Sequence, residues 1–244
     1  MSYIKFKKTK IVATLGPGCG NKTMLSRLIK AGVNVFRINF SHATYEEVDR
    51  HVELIRSLNK ELDTNVAILA DLQGPKIRVG KMEDGVVFKK GDVFILSTEK
   101  EIIGNKHKAS LSYKDFAKDV KKGDRVLVDD GKLIFEVIST NKKDEVKLRN
   151  IQGGKLSSNK GVNLPNTKIS TPSLTKKDKQ DLLYAISKEL DWVALSFVRD
   201  ANDMINLRKI IEKESDEKIP IIAKIEKPEA IKNIEDIIQN SDGI

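Results

Sequence analysis

The sequence contains one cysteine, Cys19, and no apolar run that approaches the length of a membrane span. A single cysteine cannot form an internal disulfide, and a membrane-spanning helix needs about 18 or more apolar residues in succession. The amino-terminal segment also lacks the apolar core and cleavage site of a signal peptide. These absences exclude a disulfide-stabilised secreted domain and an integral membrane protein. They favour a reducing, cytoplasmic setting with no membrane partner.

Aromatic residues are also scarce, at 5% of the 244 residues, although the net charge is +9 and the pI is about 9.4. Such a charge can attract a polyanion, but few rings are available to stack on nucleic acid bases. The lysines are scattered, as in KKDKQDLL, and form no stripe. We therefore expect a solvated basic surface and no nucleic acid partner. A basic binding module is the alternative, which steep salt dependence of RNA or DNA binding would support.

Residues 1–73 and 172–244 alternate strand-like and helix-like segments. The predicted strands cover residues 10–15, 33–40, 66–72, 192–198 and 219–225. The predicted helices cover residues 22–30, 44–60, 175–190, 201–213 and 228–239. Thr44-x-x-Glu47 is a capping box, and Thr175-x-x-Asp178 also predicts a helix start. Repeated βα units imply a parallel sheet, and their periodicity does not choose between a barrel and a doubly wound sheet.

Residues 74–171 interrupt this rhythm with shorter segments of alternating polar and apolar residues. Four of these segments are strand-like, at residues 93–96, 125–128, 133–138 and 146–151. Asp130-Gly131 lies between two of them and is typical of a hairpin turn. The pattern predicts a small antiparallel β domain inserted after the third βα strand. The expected domain ranges are therefore 1–73, 74–171 and 172–244.

Polar side chains are found where the predicted parallel strands end. Arg37, Asn39 and Ser41 are spaced two apart, so in an extended chain their side chains point the same way. The other residues of this kind are Asp71, Ser196, Lys224 and Glu226. In α/β sheets and barrels, ligands bind at the carboxyl ends of the strands. The sequence therefore predicts one polar site at that edge.

The residue types of this predicted site suit a phosphorylated substrate. Arginine offers a bidentate fork to phosphate, lysine offers a compact positive charge, and carboxylates bind Mg²⁺. A Schiff-base aldolase with Lys224 as the nucleophile is an alternative, which borohydride trapping with a carbonyl substrate would reveal. Glu226, two residues away, argues against that alternative because it favours a charged lysine.

Six segments together resemble the signatures of the pyruvate kinase family, in family order and at compatible spacing. They are Thr14–Pro17, Arg37–His42, Asp71–Arg78, Lys160–Pro165, Ser196–Arg199 and Lys224–Glu226. The resemblance covers essentially the whole chain. It implies an α/β fold, a partial (β/α)₈ TIM barrel with a small antiparallel β-barrel domain inserted after strand 3. It also implies a glycolytic phosphotransferase that moves the phosphoryl group of phosphoenolpyruvate to ADP, giving pyruvate and ATP.

The resemblance further implies roles for individual residues. Arg37 would bind the substrate phosphate, and Lys224 would neutralise charge on the phosphoryl group during transfer. Glu226 would hold the catalytic Mg²⁺ (or Mn²⁺). The nucleotide would contact Asn39, Phe40, Ser41, His42, Arg78 and Lys160, the last of these carried by a mobile inserted domain that closes over the site.

Many family members also bind K⁺, and the corresponding residues here are Asn39, Ser41, Asp71 and the carbonyl of Leu72. K⁺-dependent members typically read Asp-Thr-Lys-Gly-Pro-Glu, whereas this chain reads Asp-Leu-Gln-Gly-Pro-Lys from Asp71 to Lys76. The sequence therefore resembles the K⁺-independent branch of the family. We expect the Lys76 ammonium to replace the ion, so that K⁺ is not required.

The family continues into a sixth strand with a second Mg²⁺ ligand, and then into a C-terminal domain, neither of which this sequence contains. We therefore expect this chain alone to be weakly active or inactive, to expose apolar surface and to associate. The full-length protein is expected to be a homotetramer. A non-catalytic fragment that binds a nucleotide or a partner chain is the alternative function.

Overall fold

The computed structural model of the chain describes residues 8–167 and 169–244. They form two compact units, one of residues up to Gly74 together with Ser173–Ile244, the other of Pro75–Pro172. The first seven residues of the predicted range 1–73 lie outside the described part of the chain. In that part no helix is both long and apolar enough to cross a membrane.

The helices and strands are numbered here in chain order. Before residue 75 they are β1 (Val12–Thr14), α1 (Lys22–Ala31), β2 (Val35–Asn39), α2 (Tyr45–Leu62) and β3 (Ala67–Leu72). Within residues 75–172 they are β4 (Ile77–Arg78), β5 (Val87–Phe88), β6 (Val93–Ser97), β7 (Lys108–Ser110), α3 (Phe116–Asp119), β8 (Arg125–Val128), β9 (Leu133–Thr140), β10 (Glu145–Gln152), β11 (Gly154–Lys155) and β12 (Gly161–Asn163). After residue 172 they are α4 (Lys176–Ser187), β13 (Trp192–Leu195), α5 (Ala201–Glu214), β14 (Ile221–Ala223), α6 (Pro228–Lys232) and α7 (Ile234–Gln239).

The first unit is built on a five-stranded parallel sheet in the order β1-β2-β3-β13-β14. Spatial order follows chain order without reversal, whereas a doubly wound sheet reverses its order at a switch point. Right-handed crossovers between successive strands place their helices on one face. The sheet is therefore part of a (β/α)₈ barrel, which settles the choice that periodicity left open.

Apolar side chains from the strands and helices of the first unit form one core. The near-continuous apolar run of β3 is buried on both faces, as a barrel strand requires. Both predicted helix starts are capping boxes: Thr44 and Thr175 each accept a backbone hydrogen bond from a residue whose side chain bonds back. The core and caps hold the strand ends in a fixed register.

The second unit is a seven-stranded sheet in the order β4-β12-β8-β9-β10-β6-β7, with a separate pair formed by β11 and β5. Its outer strands meet, because Gly80 N donates to Ser110 O at 2.9 Å and Ser112 N donates to Arg78 O at 3.0 Å. The sheet thus closes into a barrel around its own apolar core. The predicted hairpin joins β8 to β9, and Asp130 and Gly131 both have positive φ, as that turn needs.

Three details differ from the sequence-based expectations. The strand pair β6 and β7 is parallel, although the inserted domain was expected to be antiparallel. The strands of the first unit are shorter than predicted, with only Ile221–Ala223 in place of residues 219–225. The last predicted helix is divided at Asn233, which ends α6, precedes α7 and donates its side-chain amide to Arg199 O at 2.9 Å.

His51 is a buried histidine on the inner side of α2. Only 7% of its surface is exposed, and neither ring nitrogen has a hydrogen-bond partner among the described residues. Burial lowers the pKa of His51, the charge of Arg50 lowers it further, and Glu47 opposes this. The imidazole also lies against Gly20, where an added Cβ would come within 2.5 Å of Nε2. Burial without a hydrogen-bond partner therefore favours the neutral form of His51 in the folded chain.

Replacement of His51 is expected to reduce the acid sensitivity of folding. The unfolded histidine has a pKa of about 6.5, so below that pH the unfolded state binds a proton that the folded state does not. The free energy of unfolding should then fall as the pH drops from about 6.5 towards the lowered folded pKa. Urea unfolding at several pH values should show a weaker fall for His51→Leu. The exposed His107→Leu is the control, and equal slopes in both variants would contradict the assignment.

Candidate active site

The polar residues predicted for the site meet at the carboxyl ends of neighbouring strands in the first unit. Asp71 of β3 lies beside Asn39 of β2 and Ala194 of β13 in the sheet register. Lys224 directly follows β14, and Ser196 directly follows β13. The parallel register therefore brings side chains from distant parts of the sequence to one edge.

Asp71 is the centre of this site. Its side chain is only 2% exposed, and it accepts hydrogen bonds from Arg37 Nε at 2.6 Å and from Lys224 Nζ at 3.0 and 3.1 Å. Arg37 also donates from Nη1 to Thr14 Oγ1 at 2.9 Å. One buried carboxylate thus orients two cations that are each about a quarter exposed. Asp71 alone balances only one of these two charges, and the carboxylate of Glu226 lies 3.7 Å from the Lys224 ammonium.

Ser196 links the lysine to the carbonyl of Leu72. Its buried hydroxyl accepts from Lys224 Nζ at 2.8 Å and donates to Leu72 O at 2.6 Å. The ammonium of Lys224 therefore has hydrogen-bond partners on two sides. The sequence placed Ser196 at the site without a role, because it is a polar residue in an apolar predicted strand and begins the family-like segment Ser196–Arg199.

Glu226 is a second carboxylate at the same edge and is more exposed than Asp71. Its Oε1 lies 3.7 Å from Lys224 Nζ, and its Oε2 accepts a hydrogen bond from Phe197 N at 2.9 Å. The sequence gave no indication of this backbone bond. No group of three or more His, Cys, Asp or Glu side chains arranged to hold a metal ion occurs in residues 8–167 and 169–244. Glu226 can therefore contribute one carboxylate to a cation.

An open cavity of about 590 Å³ lies over these residues. Its polar lining comes from Arg37, Asp71, Lys224 and Glu226, and its floor from small and aliphatic side chains. The apolar lining residues are Leu69, Ala194, Ile222, Ala223, Ile225 and Ile244. The volume fits a small ligand, and both cations are part of the lining.

Asn39 at the end of β2 and the three residues after it are the predicted nucleotide contacts of the first unit, and Asn39 and Ser41 also belong to the predicted monovalent-cation pocket. Asn39 Oδ1 accepts from Ser41 N at 3.0 Å. The Phe40 side chain is 1% exposed and belongs to the core, so only its backbone can contact a ligand. The Phe40 carbonyl accepts from Lys177 Nζ at 2.9 Å. His42 lies in the turn that follows and is exposed.

The remaining predicted residues belong to the second unit. Arg78 donates from Nη1 to Asn159 O at 3.0 Å, and Lys160 Nζ lies 3.0 Å from Asp129 Oδ1. The Lys160 ion pair lowers the pKa of Asp129 through a hydrogen bond, with Lys132 acting in the same direction. Lys76 lies just after the start of this unit. The expected roles of these three residues stay predictions.

The sequence was also compared with known proteins. A family model described as "Pyruvate kinase, barrel domain" matches residues 6–244. The chain belongs to the pyruvate kinase family. The pyruvate kinase of Staphylococcus haemolyticus is 41% identical over 240 residues, covering 98% of this chain and 41% of that protein. Pyruvate kinase 2 of Synechocystis is 43% identical over 243 residues, with the same two coverages.

The pyruvate kinase of Clostridium perfringens is 40% identical over 239 residues, covering 98% of this chain and 50% of that protein. The chain thus spans between two fifths and one half of the length of these curated relatives. Family membership agrees with the partial barrel seen in the first unit. It also agrees with the resemblance drawn from the six sequence segments.

Replacement of Asp71 by asparagine is expected to destabilise the folded chain. The substitution leaves Arg37 and Lys224 without their shared counter-charge, and removing one partner of a buried ion pair typically costs about 3–5 kcal/mol. Because both cations are partly exposed, the lower end of that range is expected. Urea unfolding measures the effect, with the exposed Asp216→Asn as the control. A loss as small as in the control would show that Asp71 does not hold the cluster together.

Proposed function

We propose that this chain carries the phosphoenolpyruvate site of an enzyme that transfers the phosphoryl group to ADP, giving pyruvate and ATP, in the cytoplasm. The single observation that carries the proposal is the pairing of Arg37 and Lys224 on buried Asp71, at the edge of a pyruvate kinase barrel sheet. Phosphoryl transfer needs positioning and charge neutralisation more than covalent chemistry. Two oriented cations above a small cavity supply both.

Each cation has a distinct part in this proposal. Arg37 would bind the substrate phosphate with the guanidinium N–H groups that Asp71 and Thr14 leave free. Lys224 would neutralise the phosphoryl group as it moves, since its ammonium is held at the edge of the cavity. Asp71 and Ser196 would fix both cations before the substrate arrives, which lowers the cost of orienting them during the reaction.

The donor set at Glu226 fits a magnesium ion that the substrate helps to bind. Mg²⁺ in such enzymes is usually held by one or two carboxylates together with phosphate oxygens and waters. Glu226 offers Oε1, because Oε2 already accepts from Phe197 N. When bound, Mg²⁺ (or Mn²⁺) would supply positive charge to the phosphate oxygens.

The proposed nucleotide contacts are Asn39, Phe40, Ser41 and His42 in the first unit and Arg78 and Lys160 in the second. This assignment, and the proposal that the second unit is a mobile lid, rest on the family resemblance. The alternative function is a non-catalytic fragment that binds a nucleotide or a partner chain. Substrate binding without turnover would favour that alternative.

The proposal is tested by calorimetric binding of phosphoenolpyruvate with Mg²⁺ and by pyruvate formation after addition of ADP. Arg37→Ala should weaken phosphoenolpyruvate binding by at least roughly tenfold, because charged hydrogen bonds are lost. Lys224→Met should lower pyruvate formation by roughly a hundredfold, the usual effect of removing a transition-state donor. The exposed Lys209→Met is the matched control and should change neither quantity. Failure of the unmodified chain to bind phosphoenolpyruvate would overturn the proposal.

We also propose that the protein does not require K⁺ and that Lys76 supplies the missing charge. Phosphoenolpyruvate binding and any pyruvate formation should then be equal in K⁺ and in Na⁺ at the same ionic strength. Lys76→Glu, which restores the residue of K⁺-dependent members, should make both quantities several-fold higher in K⁺ than in Na⁺. Lys90→Glu is the control with the same charge change. Strong stimulation of the unmodified chain by K⁺ would contradict this proposal.

A further inference from the structure

Phe197 has a backbone conformation that is rare for its residue type. Its φ is +57°, in the left-handed region where Cβ crowds the backbone of an L-residue. Among the described residues, every other non-glycine residue with positive φ is polar, being Asp, Asn, Glu or Lys. Such conformations persist where the surrounding structure holds them, and they cluster at functional sites.

The amide of Phe197 is used by the candidate active site. It donates to Glu226 Oε2 at 2.9 Å. Strand β13 ends two residues earlier, so this N–H is not part of the sheet ladder and is available to a side-chain acceptor. Glu226 Oε1 has no hydrogen-bond donor in the described part of the chain and lies 3.7 Å from Lys224 Nζ. One oxygen of Glu226 is therefore fixed by the backbone, and the other is left for a ligand.

Three further contacts hold Phe197 in place. Its ring lies against Gly74, where an added Cβ would come within 2.9 Å of Phe197 Cδ2. Its carbonyl oxygen lies 3.1 Å from the buried hydroxyl of Ser173. Lys227 Nζ lies 5.9 Å from the ring centroid. The amide, the carbonyl and the ring of Phe197 are thus each restrained by a neighbour.

We propose that the left-handed backbone of Phe197 is a positioning device for Glu226, which aims its free carboxylate oxygen at a divalent cation. This inference rests on the proposed function, because that function places the cation at Glu226. The positive φ of Phe197 is what directs its amide to Glu226, and the ring helps only to hold that backbone conformation. Phe197 is therefore a positioning residue and does not itself touch the cation.

The test compares two substitutions that both remove the ring. Phe197→Asn keeps a residue that tolerates the left-handed region, whereas the β-branched Phe197→Ile strongly disfavours it. Mn²⁺ is titrated into the full 244-residue chain in the presence of phosphoenolpyruvate, and its binding is followed by water proton relaxation. The asparagine variant should retain the affinity within about twofold, and the isoleucine variant should lose about tenfold, as other supporting contacts of metal ligands do.

A second pair of variants provides the same comparison if Phe197→Ile folds poorly. Phe197→Gly should behave as the asparagine variant does, and Phe197→Ala should lie between it and isoleucine. The hydrogen bond from Phe197 N to Glu226 can also be tested without metal by NMR of a ¹⁵N-phenylalanine-labelled chain. Glu226→Gln should weaken this bond and shift the Phe197 amide proton upfield. The inference would be overturned if Phe197→Asn and Phe197→Gly, which tolerate positive φ, bound Mn²⁺ with the same affinity as Phe197→Ile, which does not.

The same experiment separates this inference from the proposed metal site. Glu226→Gln should abolish this substrate-supported Mn²⁺ binding if the proposed function is right. If Glu226→Gln leaves Mn²⁺ binding unchanged, the metal site of the proposed function fails. If Glu226→Gln abolishes binding while the asparagine and isoleucine variants agree, only the positioning role fails.

Discussion

The buried carboxylate of Asp71 is the interaction on which the candidate site depends. A carboxylate removed from water is costly unless it is paired and hydrogen-bonded. Here the compensation comes from Arg37 on the neighbouring strand β2 and from Lys224, which follows β14, two strands away. The same contacts that make the burial of Asp71 tolerable also orient the two cations that face the cavity. A bound anion would therefore compete with Asp71 for Arg37 and Lys224, so the contacts that stabilise the fold are also the ones that the ligand would weaken.

This arrangement depends on the parallel register of the sheet. Asp71 lies beside Asn39 and Ala194, so residues more than a hundred positions apart become neighbours. The small side chain of Ala194 and the side chain of Ile222, its partner in the register, contribute to the lining of the cavity. The apolar core beneath the sheet holds the strands, while the strand ends carry almost all of the polar chemistry. Such a division between a packed core and a polar edge is the usual plan of a barrel enzyme.

The sequence predicted the positions of helices and strands more reliably than the breaks and strand directions that long-range contacts set. Hydrophobic periodicity located five strands of the first unit, and Thr44 and Thr175 marked two helix starts correctly. The division of the last helix at Asn233 was not predicted, because it depends on a bond to the distant Arg199 carbonyl. The parallel pairing of β6 with β7 was missed for a similar reason, since strand direction within a closed sheet is set by long-range contacts.

The amino-acid sequence by itself determined the βα rhythm, the positions of the polar strand ends and the membership of the pyruvate kinase family. These properties follow from local periodicity, from capping and from residue identity. The tertiary structure alone decided that one carboxylate serves both Arg37 and Lys224, that Ser196 joins Lys224 to the Leu72 carbonyl, and that the Phe197 amide holds Glu226. Each of these contacts joins residues that only the folded register brings within hydrogen-bond distance, and Phe197 needs a backbone conformation that its own side chain disfavours.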